Sequence, residues 1–242
     1  MRLRDPGVKL ETASKADRGT VSILAIPTII ALWFVNSSAF TYLTVGPESY
    51  GIYKPRHDWL YAHIVAGIVA LLFGPVQLWL GANHRTAFVH RILGSLYVMS
   101  VGVAGISAFY LAAHTDFGWV FGVGLATGAL VWMISTFFAV VAISRKMVEE
   151  HRNWMIRSCV FTFVFVTFRV ITGILKMFGI GTMLEQMTAA SWLSWSLPFM
   201  ITEFVLLGRK LFVRMPKPAK STSIIESTSS VDVFVGSQDG VA

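Results

Sequence analysis

From Trp59 to Leu80 the chain reads WLYAHIVAGIVALLFGPVQLWL, a run without a single Asp, Glu, Lys or Arg. A helix needs about 20 mostly apolar residues to cross the hydrocarbon core of a bilayer, so a run of this length reads as a membrane span. The same test picks out Val21 to Thr44, Phe88 to Ala113, Trp119 to Ser144, Trp154 to Phe178 and Trp192 to Phe212. Six windows in 242 residues leave only short connections. With 55% hydrophobic residues, 14% charged residues and a mean hydropathy of +0.64, the composition belongs to the membrane class. The expected fold is an all-α polytopic bundle of six spans. Residues 1–20 would be a cytoplasmic N-terminal segment and 21–213 the transmembrane domain. Residues 214–242, rich in Ser and Thr and without hydrophobic periodicity, would be a disordered cytoplasmic tail.

Orientation follows from where the charge lies. Of the 20 Lys and Arg, 16 fall on one side of a six-span chain. They are Arg2, Arg4, Lys9, Lys15 and Arg18; Arg85 and Arg91; Arg145, Lys146, Arg152 and Arg157; and Arg209, Lys210, Arg214, Lys217 and Lys220. Lys54, Arg56 and Lys176 lie on the other side and Arg169 within a span. The bias puts both termini in the cytoplasm. It also accounts for the net charge of +7 without a nucleic-acid partner; the lipid bilayer is the surrounding partner. Trp59, Trp119, Trp154 and Trp192 fall at span boundaries, where aromatic belts form. Cys159 is the only cysteine, which excludes an intrachain disulfide and a cysteine metal cluster.

Helical periodicity gives the spans their faces. The second window aligns His63, Gly67, Ala70, Gly74 and Gln77, and the third aligns His90, Gly94, Tyr97, Val101 and Gly105. The fourth offers Gly118, Gly122, Gly124 and Gly128, which permit close helix approach. In the fifth, His151, Ser158, Thr162, Arg169 and Gly173 lie nearly on one line, a polar stripe running into the membrane. An intramembrane guanidinium needs a partner, and Glu203 in the sixth window is the only acid well inside a span. The expectation is a buried Arg169–Glu203 pair.

Two His-Arg steps, His90-Arg91 and His151-Arg152, open the third and fifth windows at the same boundary. Histidines at equal depth on two helices suit a b-type haem, which takes two neutral imidazoles; Arg91 and Arg157 could pair with its propionates. His63, on the polar face of the second window, joins the cofactor candidates. Topology alone would also leave arginines here, and interfacial histidines need no cofactor. Phosphate-binding loops with Lys, Gly-x-Ser-x-Gly elbows and His-Glu-x-x-His strings are absent from the sequence, so hydrolase and ATPase readings have no support.

WLYAHIVAGIVALLFGPVQLW, HRTAFVHRILGSLYVMSVGVAGISA and HRNWMIRSCVFTFVFVTFRVITG together resemble a bacterial family of predicted multi-pass membrane proteins, domain of unknown function 2306. The likeness runs from about Trp59 to Arg169 and implies a bacterial inner-membrane protein, without an activity, substrate or cofactor. A fainter likeness is to cytochrome b561-like bundles, whose histidines pair between helices two and four and between three and five. His90 and His151 would supply the second of these pairs. The stretch from Trp119 to Ser144 has no histidine and so lacks the first. Three readings stand side by side: a one-haem protein exchanging electrons with a quinone or another redox partner, a carrier or channel with a polar path at Arg169 and Glu203, and a structural membrane protein. Whether the chain is an enzyme stays open among them.

Overall fold

The computed structural model describes residues 28–39, 54–81 and 87–213. The segment 1–20, the two ends of the first window, the Glu48 loop, the Asn83–Arg85 stretch and the tail from residue 214 lie outside the described residues. The described elements are helical: α1 (Thr28–Ser37), closing in a π-turn over Val35–Ala39; α2 (His57–Leu80); α3 (Ala87–Ala113); α4 (Trp119–Ser144); α5 (Val148–Thr162); α6 (Val164–Met177); and α7 (Met183–Val213). One compact unit ends at Leu206 and a second begins at Leu207; the described residues of the second are helical.

Four helices, α2, α3, α4 and α7, are long and apolar enough to cross a membrane, and α5 with α6 makes a fifth if the bent pair is one span. Within hydrocarbon every backbone N–H and C=O must find a partner in the chain, which is why helix runs the length of α2, α3, α4 and α7. α1 is a shorter apolar helix, so the first expected span is represented by its middle only. The outward faces are apolar: Phe88, Met99, Phe137, Ile201 and Phe204 are each 62–75% exposed. In water such a surface would drive association; in lipid it is the solvated face.

The fifth window is not one straight helix. α5 and α6 meet at 43° around Phe163, whose amide bonds to the carbonyl of Val160. The Thr162 hydroxyl, buried, donates back to the carbonyl of Cys159, a competition with the helix ladder that bends helices. The expected continuous polar stripe is therefore broken. Ser158 and Thr162 are buried, whereas Arg169 on α6 is exposed.

α2, α3, α4 and α5 close a ring, each packing on the next and α5 returning to α2. Because the chain reverses at every turn, α3 and α5 run parallel on opposite corners of this ring. Small residues, Ala66, Ala70, Ala104 and Ala139, let the four approach, and Tyr97 and Trp132 fill the centre. α7 docks on α4 through two indoles: Trp192 Nε1 donates to the carbonyl of Val120 at 3.2 Å and Trp195 Nε1 to that of Gly124 at 3.1 Å. The glycines of α4 make this possible. A Cβ at Gly124 would lie 2.6 Å from Ser191 Oγ and one at Gly128 2.9 Å from Trp195.

Candidate functional site

The middle of the ring is held by hydroxyls. Tyr97 on α3 lies 2.7 Å from Ser158 Oγ on α5, and Ser158 Oγ lies 2.6 Å from Thr136 Oγ1 on α4. Thr136 donates its own proton to the carbonyl of Trp132 at 2.9 Å. Each hydroxyl carries one proton, so the direction is fixed: Tyr97 donates to Ser158 and Ser158 to Thr136. The chain of bonds ends on backbone and leaves no hydroxyl open.

His90 and His151 sit seven residues before Tyr97 and Ser158 respectively. Seven residues are two turns, which returns each helix to nearly the same face about 10 Å nearer its N-terminus. Since Tyr97 and Ser158 meet, the faces carrying His90 and His151 also turn toward one another. At this end the α4–α5 connection bears Arg145 and Lys146 and the start of α5 bears Arg152, so it is the basic end of the bundle.

The imidazoles are held unequally. His151 Nδ1 is 2.8 Å from the carbonyl of Ala139 on α4; a carbonyl only accepts, so Nδ1 carries a proton and Nε2 is the nitrogen left for another contact. His90 Nδ1 lies beside the Gln77 backbone carbonyl, which accepts from the Gly81 amide at 2.9 Å, but is buried without a hydrogen bond. The Gln77 side chain, 2% exposed, has a partner for neither Oε1 nor Nε2. Buried polar atoms are ordinarily bonded. Three of the five unbonded ones among the described side chains belong to Gln77 and His90.

The remaining candidates lie elsewhere. His63 is buried on α2 with Nδ1 2.9 Å from the carbonyl of Ala104 and its ring edge-on to Phe165. It is 14 residues from Gln77 along the same helix, about 21 Å, and does not share the site. Arg91 is exposed on α3. Arg157 is committed to Glu203, with Nε 2.5 Å from Oε1 and Nη2 2.9 Å from Oε2, and its guanidinium lies 4.7 Å over the Trp154 ring. Arg157 thus takes the place expected of Arg169. The expected Arg169–Glu203 pair does not form: beyond the bend, Arg169 lines an apolar cleft of about 300 Å³ with Trp33, Phe34 and Val166. A polar path built on that pair is interrupted. Among the described residues no three His, Cys, Asp or Glu converge as a metal cage. Gln77 was assigned no role by sequence; only the missing partners of its amide, visible in the structure, mark it out.

At the opposite end Arg56 grips Asp116 in the α3–α4 connection at 2.9 and 3.3 Å, and that guanidinium holds the Asp116 carboxyl below its ordinary value. Cys159 is a free, buried thiol.

Apolar helices of spanning length around a polar interior define an integral membrane protein. The profile of the family described as predicted membrane protein (DUF2306) matches residues 60–206, well over half of the chain, and the protein belongs to that family. No curated protein and no solved structure gives a significant match.

Proposed function

We propose that this protein is a b-type electron-transfer protein of the bacterial inner membrane, with one haem held between His90 and His151. The observation that carries the reading is the placement of both histidines one heptad before the Tyr97–Ser158 contact, on parallel helices at opposite corners of the ring. Axial ligation asks for two neutral imidazoles that face each other, each with its second nitrogen on an acceptor. His151 meets that condition through Ala139, and the unbonded groups of Gln77 and His90 are what a site made for a further occupant leaves. Neither Arg91 nor Arg157 is directed there, so the donor set that supports the reading is the imidazole pair.

A bound haem would supply one-electron chemistry at this end of the membrane. The chain's part is to fix the imidazoles, exclude lipid with Met155 and Trp132, and close the floor with the saturated hydroxyls. The partner in this reading is a quinone or a cytoplasmic reductant. The topology that goes with it has six spans, the first through α1, and both termini in the cytoplasm, supported by the 16 Lys and Arg on one side. The test is the visible spectrum of protein purified from haem-replete cells, before and after dithionite. The expected result is a reducible Soret band, lost in both His90→Ala and His151→Ala. A colourless protein that takes up no haem on reconstitution overturns the reading, and an active periplasmic reporter fused after Phe212 overturns the topology.

A further inference from the structure

We propose that Gln77 is the positioning residue for His90: its side-chain Oε1 accepts the Nδ1 proton, so that His90 presents Nε2 to the interior as His151 does. The inference rests on the imidazole-pair reading and deepens it, and it stands on four observations.

First, the Gln77 amide and His90 Nδ1 are both buried and both unbonded, one an acceptor without a donor, the other a nitrogen without a partner. Second, they lie against each other's helix. The Gln77 amide rests on Gly94, whose added Cβ would meet Oε1 at 3.4 Å, and the His90 ring rests on Gly81, whose added Cβ would meet Cε1 at 3.3 Å. Gly94 is one turn from His90 and Gly81 one turn from Gln77 on the same faces. In the proposed arrangement the Gln77 side-chain torsions turn the amide from Gly94 to the ring, and glycine at 94 leaves no side chain in the way. Third, two other histidines of the bundle already use this device: His151 on Ala139 and His63 on Ala104, each through Nδ1 and a carbonyl of a neighbouring helix. His90 Nδ1 lies beside the Gln77 backbone carbonyl but makes no hydrogen bond with it. Fourth, the Gln77 side chain is 2% exposed, so solvent does not supply its amide with the partners it lacks.

An acceptor on the outer nitrogen of a ligating histidine fixes its tautomer and raises its basicity as a ligand. A more basic axial ligand favours the oxidised metal. Loss of the acceptor therefore moves the couple toward the reduced form.

The experiment compares wild type with Gln77→Leu, which removes the acceptor, and Gln77→Glu, which keeps it. In protein without haem, long-range ¹H–¹⁵N spectra report the neutral tautomer of His90, assigned by loss of its signals in His90→Asn. Wild type and Gln77→Glu should carry the proton on Nδ1, and Gln77→Leu should shift the tautomer ratio about tenfold toward Nε2. In haem-loaded protein the same tenfold change in the ratio of reduced to oxidised form raises the midpoint of Gln77→Leu by about 59 mV. Gln77→Glu should lower it. An unchanged tautomer in Gln77→Leu overturns the proposal. If Gln77→Leu does not fold, a midpoint for Gln77→Glu at or above that of wild type overturns it. A wild type that takes up no haem defeats the proposed function while the tautomer measurement still decides the role of Gln77.

Discussion

His63 and His90 make the instructive pair, because both are histidines on the inner faces of neighbouring helices and they meet opposite fates. His63, in the half of the bundle away from the basic end, is bonded to Ala104 and sealed by Phe165. His90, at the basic end, is half-buried beside an amide that also lacks a partner. A buried polar group with its bonds made specifies packing and needs nothing else. One with its bonds unmade carries a desolvation cost that an occupant or a rearrangement would remove. The difference separates a finished half of the bundle from an unfinished one, although composition and hydropathy treat the two alike.

Groups whose bonds are made should be the more sensitive to deletion, and the ion pair between α5 and α7 is the strongest case. Glu203→Ala leaves the Arg157 guanidinium, whose side chain is only 13% exposed, without its carboxylate. Stranding a largely buried charge is expected to cost about 2–4 kcal/mol, read as thermal unfolding in detergent. The double change Arg157→Leu with Glu203→Leu should recover most of the loss. If the double variant is as unstable as the single one, the pair contributes through attraction and the stranded-charge account fails.

Next in size is the α4–α7 seam. Gly128→Val places branched carbon against the Trp195 indole, and overpacking of this kind costs about 1–3 kcal/mol. Gly102, with open space around its position, is the control: Gly102→Ala should leave the unfolding temperature unchanged or raise it slightly. Equal losses at both positions would mean that glycine matters here through backbone flexibility instead of close approach.

The comparison narrows further with the histidines themselves. His63→Phe removes one made hydrogen bond and is expected to cost about 1 kcal/mol. His90→Phe removes at most the bond to Gln77 Oε1 proposed above and should cost no more than His63→Phe, while abolishing the haem spectrum that His63→Phe retains. A larger stability loss at His90 than at His63 would mean that its ring contributes to packing beyond that one bond.

The sequence carried the helices and their inner faces because lipid imposes length and because one helical period sorts small and polar residues to one side; Ala70, Gly74 and Gln77 on α2 and Tyr97, Val101 and Gly105 on α3 are buried as that period requires. The bend at Phe163 was invisible, since CVFTFVFVTF holds no Pro, Gly or charge and the cause is a threonine hydroxyl turned onto its own backbone. The partner of Glu203 was misread for a related reason. Depth can be counted along a helix, but which arginine faces α7 depends on the azimuth, and the bend changes that azimuth between Arg157 and Arg169. The histidine pair was legible as equal depth, and its convergence became an argument only through the Tyr97–Ser158 contact. Gln77 could be assigned to a face; that nothing bonds to it is a property of its neighbours.

The smallest effect lies at the end opposite the histidines, where Arg56 and Asp116 tie the start of α2 to the α3–α4 connection. The guanidinium beside Asp116 lowers the pKa of its carboxyl, chiefly through the hydrogen bonds and then through charge. A carboxyl whose pKa is lower in the folded chain than in the unfolded one adds stability above its unfolded pKa, near 3.9, and loses it as the pH falls through the lower, folded value. Wild type should therefore melt slightly above Asp116→Asn at neutral pH, with the gap closing on acidification below about pH 4. Asp116 is 52% exposed, so the gap should also shrink in molar salt, where exposed charges are screened. The ion pair of Arg157 and Glu203 is less open to water, and the loss in Glu203→Ala should persist in the same salt. A gap at Asp116 that salt leaves untouched would mean that the contact works by shape, through the paired geometry of its two hydrogen bonds, and the contrast between the exposed clasp and the buried pair would have to be given up.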